Sequence, residues 1–594
     1  MAFIPSESPN ITVKEFDLSG VVPAVQTSNG AFVGDFNWGP IDTPVLISNE
    51  AELVTTFGSP SLIQDSSVTD YLTAGSFLKY SSSMYVTRTQ NDSVGFATAH
   101  NSRDSDSITE LTVLNDDDWL TKKSAAIAGG HTFLAKHAGV VGNSLAVEVC
   151  GRGDSATVFG TWAYKGSFDA RPGTSSYVAS KSPDGILAYD EVHVAVVDKN
   201  GLFTGTPGTV VETYPFVSLA TDAKTSDGTS NYVLDAINAK SEYIRAAQVP
   251  SEWRVHDSAA TDMFTAALFG GTLSGTGVVT SVTEVILKDG QNSIPSAPGN
   301  IATAYENAYG DEDTITVDFL IAPQMLTAVD QSSVVNNLVA LATARKDCVV
   351  VTSPNRTSVI NNAPSAIVTD TVAFSELCTS SSYLIIDNNF VKVYDKYNDQ
   401  YVYIPAAAST AGVMALTDDT AAPWFSPAGS RRGQYLGVTS LAYSPTKAQR
   451  DTLYKSGVNP IVNIPGQGIL LYGDKTKLGR PSAFDRINVR RLFIGIERAI
   501  KGAAQNVMFE FNDEFTRAEF VNIIEPFLRE IKGRRGITDF RVVCDETNNT
   551  AAVIDSNQFI ASVFIKPARS INYVTLNFVA VRTGVDFDEV VGLV

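Results

Sequence analysis

The stretch DRINVRRLFIGIERAIKGA, residues 485–503, carries the strongest helical pattern in the sequence. Its apolar side chains recur every three or four residues, a spacing that places them on one face of an α-helix. The stripe consists of Val489, Leu492, Phe493, Ile496, Ile500 and Ala503. A second apolar stripe follows a candidate capping box at Thr516–Glu519, and Pro526 within it predicts a kink or a break. Residues 440–594 are therefore predicted to form a C-terminal α/β domain.

Strands are predicted at both ends of the chain, where no partner strand is evident. After the two helices, apolar runs predict strands at Phe540–Val543, Gln558–Ile565 and Tyr573–Val581. Residues 1–22 are polar except for the alternating stretch Ile11–Phe16, which predicts one short strand. A long apolar strand near a terminus must be paired, because its unmet backbone groups would otherwise template aggregation. We expect these end strands to complete sheets elsewhere.

The rest of the chain predicts a mixed α/β and β protein with several domains, since 594 residues exceed a single ordinary core. Residues 23–94 and 315–439 alternate strand-like and helix-like patterns, which predicts one discontinuous α/β core domain. Residues 95–314 are rich in Ser, Thr, Gly and Asp around short β-like runs, which predicts a β-rich protruding insertion with two lobes. Residues 1–22 are predicted to form a flexible N-terminal arm, and the last strand a C-terminal arm.

Charge and composition exclude several classes of protein. The net charge of −20 argues against nucleic-acid binding, which depends on neutralising phosphates. The charge is uneven, with 20 Lys and Arg against 17 Asp and Glu in residues 440–594 and 24 against 47 in residues 1–439. The absence of a long apolar run or a signal-peptide pattern predicts a cytoplasmic origin without membrane insertion. The four cysteines form no CxxC pair, so buried free thiols are expected.

Fragments that suggest an enzyme or a binding site lack the residues their chemistry requires. Gly201–Gly208 has no Gly-Lys-Ser/Thr to reach phosphates, and Gly270–Gly277 lacks a strand-to-helix context for a dinucleotide. Asp116–Asp118 lacks the alternating spacing of a calcium loop and favours a solvated charge run. Arg152–Asp154 matches an adhesion tripeptide but favours a chance turn. The five histidines form no metal or nucleophile motif, so no catalytic, cofactor or metal residue is predicted.

Three C-terminal fragments occur in an order that resembles contractile phage tail sheath proteins. They are Asp485–Ile500, Phe509–Asn512 and Cys544–Thr550. Upstream, Phe36–Pro40, Gly139–Ser144 and Asp198–Gly205 resemble the sheath proteins of T4-like myophages. The resemblance runs from about residue 20 to the end and is weakest in the insertion.

The resemblance implies a subunit that polymerises into a helical sheath around a tail tube. In such a sheath the two arms add strands to neighbouring subunits, and the residues implied are Ile11, Val13, Phe16, Tyr573, Leu576 and Phe578. The C-terminal domain would lie innermost and contact an acidic tube through a basic helix. The residues implied in that contact are Arg490, Arg491, Arg498 and Lys501, and the alternative is that they merely solvate the helix. The insertion would face outward.

The resemblance also implies the partners, the location and the action. The expected partners are further copies of the chain, the tail tube protein, and the baseplate and tail terminator proteins, with no nucleic acid, membrane or cofactor. The protein would be a component of the virion tail, assembled in the host cytoplasm. Contraction of the sheath would drive the tube through the host envelope for genome delivery.

Three alternatives remain open from the sequence. The nearest is the sheath of a bacterial contractile injection system or R-type bacteriocin. A β-rich virion adhesin or capsid-associated protein would explain the Ser- and Thr-rich middle but not the basic C-terminal helices. A cytosolic hydrolase would need a site assembled from distant residues.

Overall fold

The structure is a computed structural model that divides into two compact units. It describes residues 28–60, 65–89, 98–102, 111–151, 157–181, 190–249, 282–292 and 297–572. Among these, residues 423–426 and 488–572 form the C-terminal unit. The remaining described residues, up to 487, form the large unit.

The described residues contain strands and helices of very different lengths. In chain order the strands are β1 Gly30–Gly34, β2 Val45–Ile47, β3 Met84–Arg88, β4 His100–Ser102, β5 His131–Ala135, β6 Leu145–Cys150, β7 Glu191–Asp198, β8 Thr209–Ser218, β9 Ile244–Ala246, β10 Val282–Ile286, β11 Phe319–Ile321, β12 Val349–Thr352, β13 Leu384–Asp387, β14 Phe390–Asp395, β15 Gln400–Pro405, β16 Ser440–Leu441, β17 Val458–Asn459, β18 Ile461–Ile464, β19 Gly468–Leu471, β20 Ile537–Val543 and β21 Ser562–Pro567. The helices are α1 Glu50–Phe57, α2 Asp65–Phe77, α3 Asp116–Ala128, α4 Thr157–Thr161, α5 Ser176–Lys181, α6 Val233–Lys240, α7 Pro298–Tyr309, α8 Ala328–Arg345, α9 Arg356–Val359, α10 Pro364–Leu377, α11 Ala407–Thr420, α12 Lys447–Lys455, α13 Ile487–Gln505, α14 Glu514–Gly533 and α15 Ala551–Asp555.

A seven-stranded sheet forms the centre of the large unit. Its strand order is β17-β13-β12-β11-β1-β3-β2, and every pairing is parallel except that of β2 with β3. The inner strands are buried on both faces, which explains their continuous apolar sequences such as Val349–Val351. Helices α7, α8, α10 and α12 pack on one face, and α2 and α11 contact strands on the other. The mixed α/β fold class is confirmed.

Local signals define several helix starts in the large unit. Asn49 accepts a hydrogen bond from Glu52 N at the start of α1, as the sequence predicts. Thr327 caps α8 in the same way, so this helix begins at Ala328, although the helical pattern of the sequence alone predicts a start at Val334. The run Ile315–Ala322 predicts a longer strand than is formed, because only Phe319–Ile321 pairs with its neighbours.

The middle of the chain folds into two smaller antiparallel sheets, with orders β10-β6-β7-β8 and β4-β5-β9. Their apolar side chains form a separate core around Phe133, Val147 and Val194. The acidic run Asp116–Asp118 forms the first turn of α3, with Asp116 and Asp117 exposed, in agreement with the predicted solvated charge run. Asn115 caps this helix, and carboxylates are stabilised near a helix N-terminus.

Arg88 connects the seven-stranded sheet to the middle sheets. Its guanidinium is buried, and Nη1 donates to Gly39 O at 3.1 Å and to Ala138 O at 2.7 Å. Burial lowers the pKa of Arg88 to about 10. The predicted domain limits remain a prediction. Two elements lie outside the predicted core segments but belong to this region: β17 pairs with β13 of the seven-stranded sheet, and α7 contributes side chains to its core.

The C-terminal unit is built on α13 and α14. Leu492 and Ile496 of α13 pack against Phe520, Ile524 and Leu528 of α14, which confirms both predicted apolar stripes. The hairpin of β20 and β21 covers this core with alternate side chains.

The predicted capping box at the start of α14 is wrong, and of the kink or break predicted at Pro526 the break does not occur. Its cap is Asp513, whose Oδ1 accepts from Thr516 N at 2.8 Å, so Thr516 lies inside the helix and forms no capping box with Glu519. The helix therefore begins three residues earlier than the predicted box implies, and the capped amide is that of Thr516. The helix also does not break at Pro526 but runs from Glu514 to Gly533. Burial of Ile524 and Leu528 on either side of the proline holds the helical path.

Candidate assembly surfaces

The carboxyl edge of a parallel sheet is the usual ligand site in doubly wound α/β proteins. Here strands β12 and β13 end at this edge with Ser353 and Asp387, both buried. The Ser353 hydroxyl donates to Asp387 Oδ1 at 2.8 Å. Polar residues therefore gather where a ligand would bind in an enzyme of this architecture.

Helix α11 occupies that position. Its Ala407 N donates to Ser353 Oγ at 2.9 Å, and its Thr410 hydroxyl donates to Asp387 Oδ2 at 3.0 Å. Residues 407–415 of this helix are all buried. The polypeptide thus fills the crevice and satisfies its polar groups, which leaves no room there for a substrate.

Asp387 has an unusual electrostatic environment. Burial raises the pKa of its carboxyl to about 7, opposed by hydrogen bonds from Ser353, Asn389 N and Thr410. In an open cleft such a carboxyl would be a candidate acid or base. Here its contacts with the protein hold strand ends and a helix together. The sequence offered no signal for Asp387, because its partners are scattered over more than fifty residues.

A pocket of about 580 Å³ opens elsewhere in the large unit, between Pro40, Thr55 and Tyr243. Asp116, Lys136 and Glu242, three of the charged groups in its lining, already have partners in the protein. Asp116 Oδ1 lies 2.7 Å from Arg245 Nη2, and Glu242 Oε2 lies 3.0 Å from Lys136 Nζ. Chemistry at this pocket would require these ion pairs to break.

The histidines and cysteines in the described part of the chain are buried. His193 stacks on Phe168 with ring centroids 4.4 Å apart and accepts from Phe216 N through Nδ1, so it is a packing residue of the core. Burial lowers the pKa of His100, His137 and His193. All four cysteines are buried and free, as predicted. Among the described residues, no cluster of three or more potential metal ligands occurs, and no helix is long and apolar enough to span a membrane.

The hairpin of β20 and β21 is the clearest candidate for strand addition. Each strand pairs with the other, and within the described residues neither has a second partner. Phe540, Val542, Val563 and Ile565 of one face pack on the core of the C-terminal unit. Two-stranded sheets are marginal alone, and their outer edges carry backbone groups that can pair with an added strand.

The structure distributes the four predicted tube-contact residues unevenly along α13. Arg490 and Arg491 are buried, each 6% exposed, and Arg490 Nη2 lies 3.3 Å from Glu497 Oε2. Arg498 is half-buried and Lys501 is exposed. A continuous basic face made of all four is therefore not present. Their role in tube contact stays a prediction, centred on Arg498 and Lys501.

The predicted arm strands lie outside the described residues. This applies to Ile11, Val13 and Phe16 of the N-terminal arm and to Tyr573, Leu576 and Phe578 at the other end. It also applies to the tripeptide Arg152–Asp154 and the glycine-rich stretch Gly270–Gly277.

Comparisons with known proteins agree with the structural evidence. The sequence models of two families match, one described as phage tail sheath protein central domain over residues 303–477 and the other as phage tail sheath C-terminal domain over residues 480–580. The tail sheath protein of Salmonella phage ViI is 33% identical, over 98% of both chains. The tail sheath protein of Enterobacteria phage T4 is 31% identical, over 99% of both chains.

The chain belongs to the phage tail sheath family. It is a structural subunit of a contractile phage tail sheath and a component of the virion, and it is not an enzyme. The sheath fold is also found in the crystal structure of a sheath tail protein from Listeria innocua, with a TM-score of 0.51 at 12% identity over 92% of this chain and 96% of that one. Full-length relatives from phages favour a phage tail over the sheath of a bacterial injection system.

Proposed function

We propose that the sheath subunits polymerise by exchanging terminal strands through the β20–β21 hairpin of the C-terminal unit. The observation that carries the proposal is that this hairpin has two open edges within the described residues. Residues 1–22 supply one strand from a neighbouring copy, and the segment beginning at Tyr573 supplies another. Strand addition relies on backbone hydrogen bonds, so it joins subunits with little demand on side-chain fit.

The strength of such a link comes from the number of bonds. Each backbone hydrogen bond contributes about 0.5–1.5 kcal/mol net, so several in each arm hold neighbours together. The linking arms can bend while the bodies they join rotate. Head-to-tail contacts of this kind do not close on themselves and therefore produce a helical polymer.

Contraction is proposed as a change between two packings of the same subunits. The extended sheath forms on the tail tube and is metastable, and a signal at the baseplate releases it. A difference of a few kcal/mol per subunit, summed over the whole sheath, supplies the work that drives the tube through the host envelope. The tube contact involves Arg498 and Lys501, and the tail terminator protein ends the polymer. Assembly takes place in the host cytoplasm.

We further propose that the domain order follows this assembly. The C-terminal unit faces the tube, and the middle sheets built from β4 to β10 face outward. Residues 440–594 carry 20 basic against 17 acidic side chains, a balance that suits contact with an acidic tube. An outward position tolerates variation in the middle sheets without disturbing polymerisation.

Deletion of residues 1–20 tests the strand exchange. The truncated protein should remain folded, with the same thermal unfolding as the full chain, and should fail to form polymers in sedimentation assays. A substitution of Leu120 by Ser, at an exposed position on α3, is a matched control that should leave polymerisation intact. Normal sheaths from the truncated protein would refute the role of the N-terminal arm.

A further inference from the structure

The loop between α13 and α14, together with the first turn of α14, exposes four large apolar side chains within eight residues. We call this group the aromatic patch; it consists of Met508, Phe509, Phe511 and Phe515, which are 59–100% exposed. Single exposed apolar residues are ordinary, but a contiguous group of this kind marks an interaction surface. Phe509 is fully exposed, the costliest arrangement for an aromatic side chain in water.

The loop is held in place by specific hydrogen bonds. Asn512 Nδ2 donates to Asn549 Oδ1 at 3.1 Å and to Gln558 O at 2.8 Å, and Arg517 Nη1 donates to Asn512 Oδ1 at 3.0 Å. Phe509 has φ +71°, a left-handed backbone that bulky residues rarely adopt. Hydrogen bonds thus fix a loop that carries one strained residue, Phe509, and several exposed aromatic side chains, and this combination indicates a binding surface.

The charges around the aromatic patch restrict the chemistry of that partner. Glu510, Asp513 and Glu514 are exposed between the aromatic residues. Residues 502–516 contain these three carboxylates and no Lys or Arg. A complementary surface must therefore offer an apolar centre with basic side chains beside it.

The outer face of the β20–β21 hairpin has this composition. Phe564 is 60% exposed and lies directly opposite Arg541 in the antiparallel register. Lys566 follows on the same face, two residues further along β21. Asp539, opposite Lys566, lies 3.1 Å from Lys532 Nζ and 3.9 Å from Lys566 Nζ, so a single carboxylate is set against the basic side chains of Arg541, Lys566 and Lys532 and the balance is basic. The opposite face of the hairpin packs on the core and is not available.

We propose that the aromatic patch of one sheath subunit docks on the outer hairpin face of a neighbouring copy. Phe509 and Phe511 contact Phe564, and Glu510 and Glu514 pair with Arg541 and Lys566. The proposal rests on the proposed function, because it adds a side-chain contact to the strand exchange at the same hairpin. Added strands use the edges of the hairpin, so its outer face remains available. The contact joins two different surfaces and is compatible with an open helical polymer.

The first test replaces Phe509 and Phe511 by Ser in the full-length chain and measures self-association by sedimentation over a range of concentrations. The concentration needed for polymerisation should rise at least tenfold, while the thermal unfolding of the dilute protein stays unchanged. A matched control replaces Tyr394 and Tyr401 by Ser, two other exposed aromatic residues, and should polymerise like the wild type.

The second test exchanges charges across the proposed contact. Glu510→Lys with Glu514→Lys should impair polymerisation, and so should Arg541→Glu with Lys566→Glu. The chain carrying all four substitutions should recover most of the loss, because opposite charges then meet again between copies.

The outcomes separate this contact from the strand exchange. If the wild type polymerises and the variant with Ser at positions 509 and 511 polymerises equally well, the docking contact is refuted while the strand exchange is not. A wild-type protein that never self-associates, even with tail tube protein, would overturn both. Variants that lose thermal stability as dilute monomers but polymerise normally would show that the patch packs within its own subunit, which also overturns the proposal.

Discussion

Asp387 shows how a residue suited to catalysis can serve assembly of the fold. It lies at the end of β13 with Ser353, Asn389 and Thr410 around its carboxyl group. Burial disfavours the charged form more than these hydrogen bonds restore it, so the pKa rises to about 7. The same carboxyl in the unfolded chain titrates near 4.

The pKa difference predicts a pH dependence of stability. The folded protein holds the Asp387 proton more tightly than the unfolded chain, so this residue stabilises the fold below about pH 4 and the contribution is lost as the pH rises towards 7. The full loss is on the order of 4 kcal/mol. Asp387→Asn, whose amide can donate to Thr410, should remove this part of the pH dependence and be more stable than wild type at pH 8.

Denaturant unfolding at pH 5 and pH 8 measures this effect. Asp451→Asn, at an exposed position in α12, is the matched control and should keep the wild-type pH dependence. An Asp387→Asn variant with the same slope as the wild type would contradict the raised pKa.

Gly412 of α11 packs closely against the ring of Tyr80. A Cβ atom at this position would lie 2.3 Å from a ring carbon of Tyr80. Gly412→Ala should therefore destabilise the large unit by about 1–3 kcal/mol despite the better helix propensity of alanine. The matched control is Gly75→Ala in α2, where no atom lies within 4 Å of the added group and a small gain in stability is expected. Thermal unfolding of both variants measures the difference. A Gly412→Ala variant as stable as the Gly75→Ala variant would contradict the close packing of Gly412 on Tyr80.

At the scale of elements, the start of α14 provides a local test. Asp513→Ala removes the cap and should cost about 1 kcal/mol, with faster hydrogen exchange at the amides of the first turn. Glu519→Ala should leave exchange unchanged, because Glu519 takes no part in the cap that is formed. Equal effects of the two substitutions, or a larger one from Glu519→Ala, would restore the capping box as the better interpretation.

The sequence predicted those elements whose burial follows a simple period. Helix α13 is an example, since Leu492 and Ile496 of its predicted stripe are buried in the core, whereas strand β7 is buried along nearly its whole length and shows no alternation. Helix α11 gave no such signal, because it is buried on nearly all sides and has no polar face. Asp387 and its partners could not be predicted either, since they meet only when two strand ends and a helix assemble. Phe509 and Phe511 of the aromatic patch contributed only to the family resemblance, because the solvent exposure of a side chain cannot be read from the sequence alone.

At the scale of the whole molecule, a fold often used by enzymes serves a structural role. The parallel sheet has the crevice of a doubly wound protein, but its own helix fills it. The C-terminal unit exposes the apolar side chains of the aromatic patch. It also contains the β20–β21 hairpin, whose outer edges have no partner strand within the described residues. Surfaces of this kind favour association with further copies of the chain.

Self-assembly is the central claim, and electron microscopy of the purified full-length protein tests it most directly. The protein should be imaged at high concentration without tube or baseplate. Hollow striated tubes are the expected result, with subunits in the contracted packing because that is the lower-energy state. Discrete particles at every concentration, which persist after tail tube protein is added, would contradict the account.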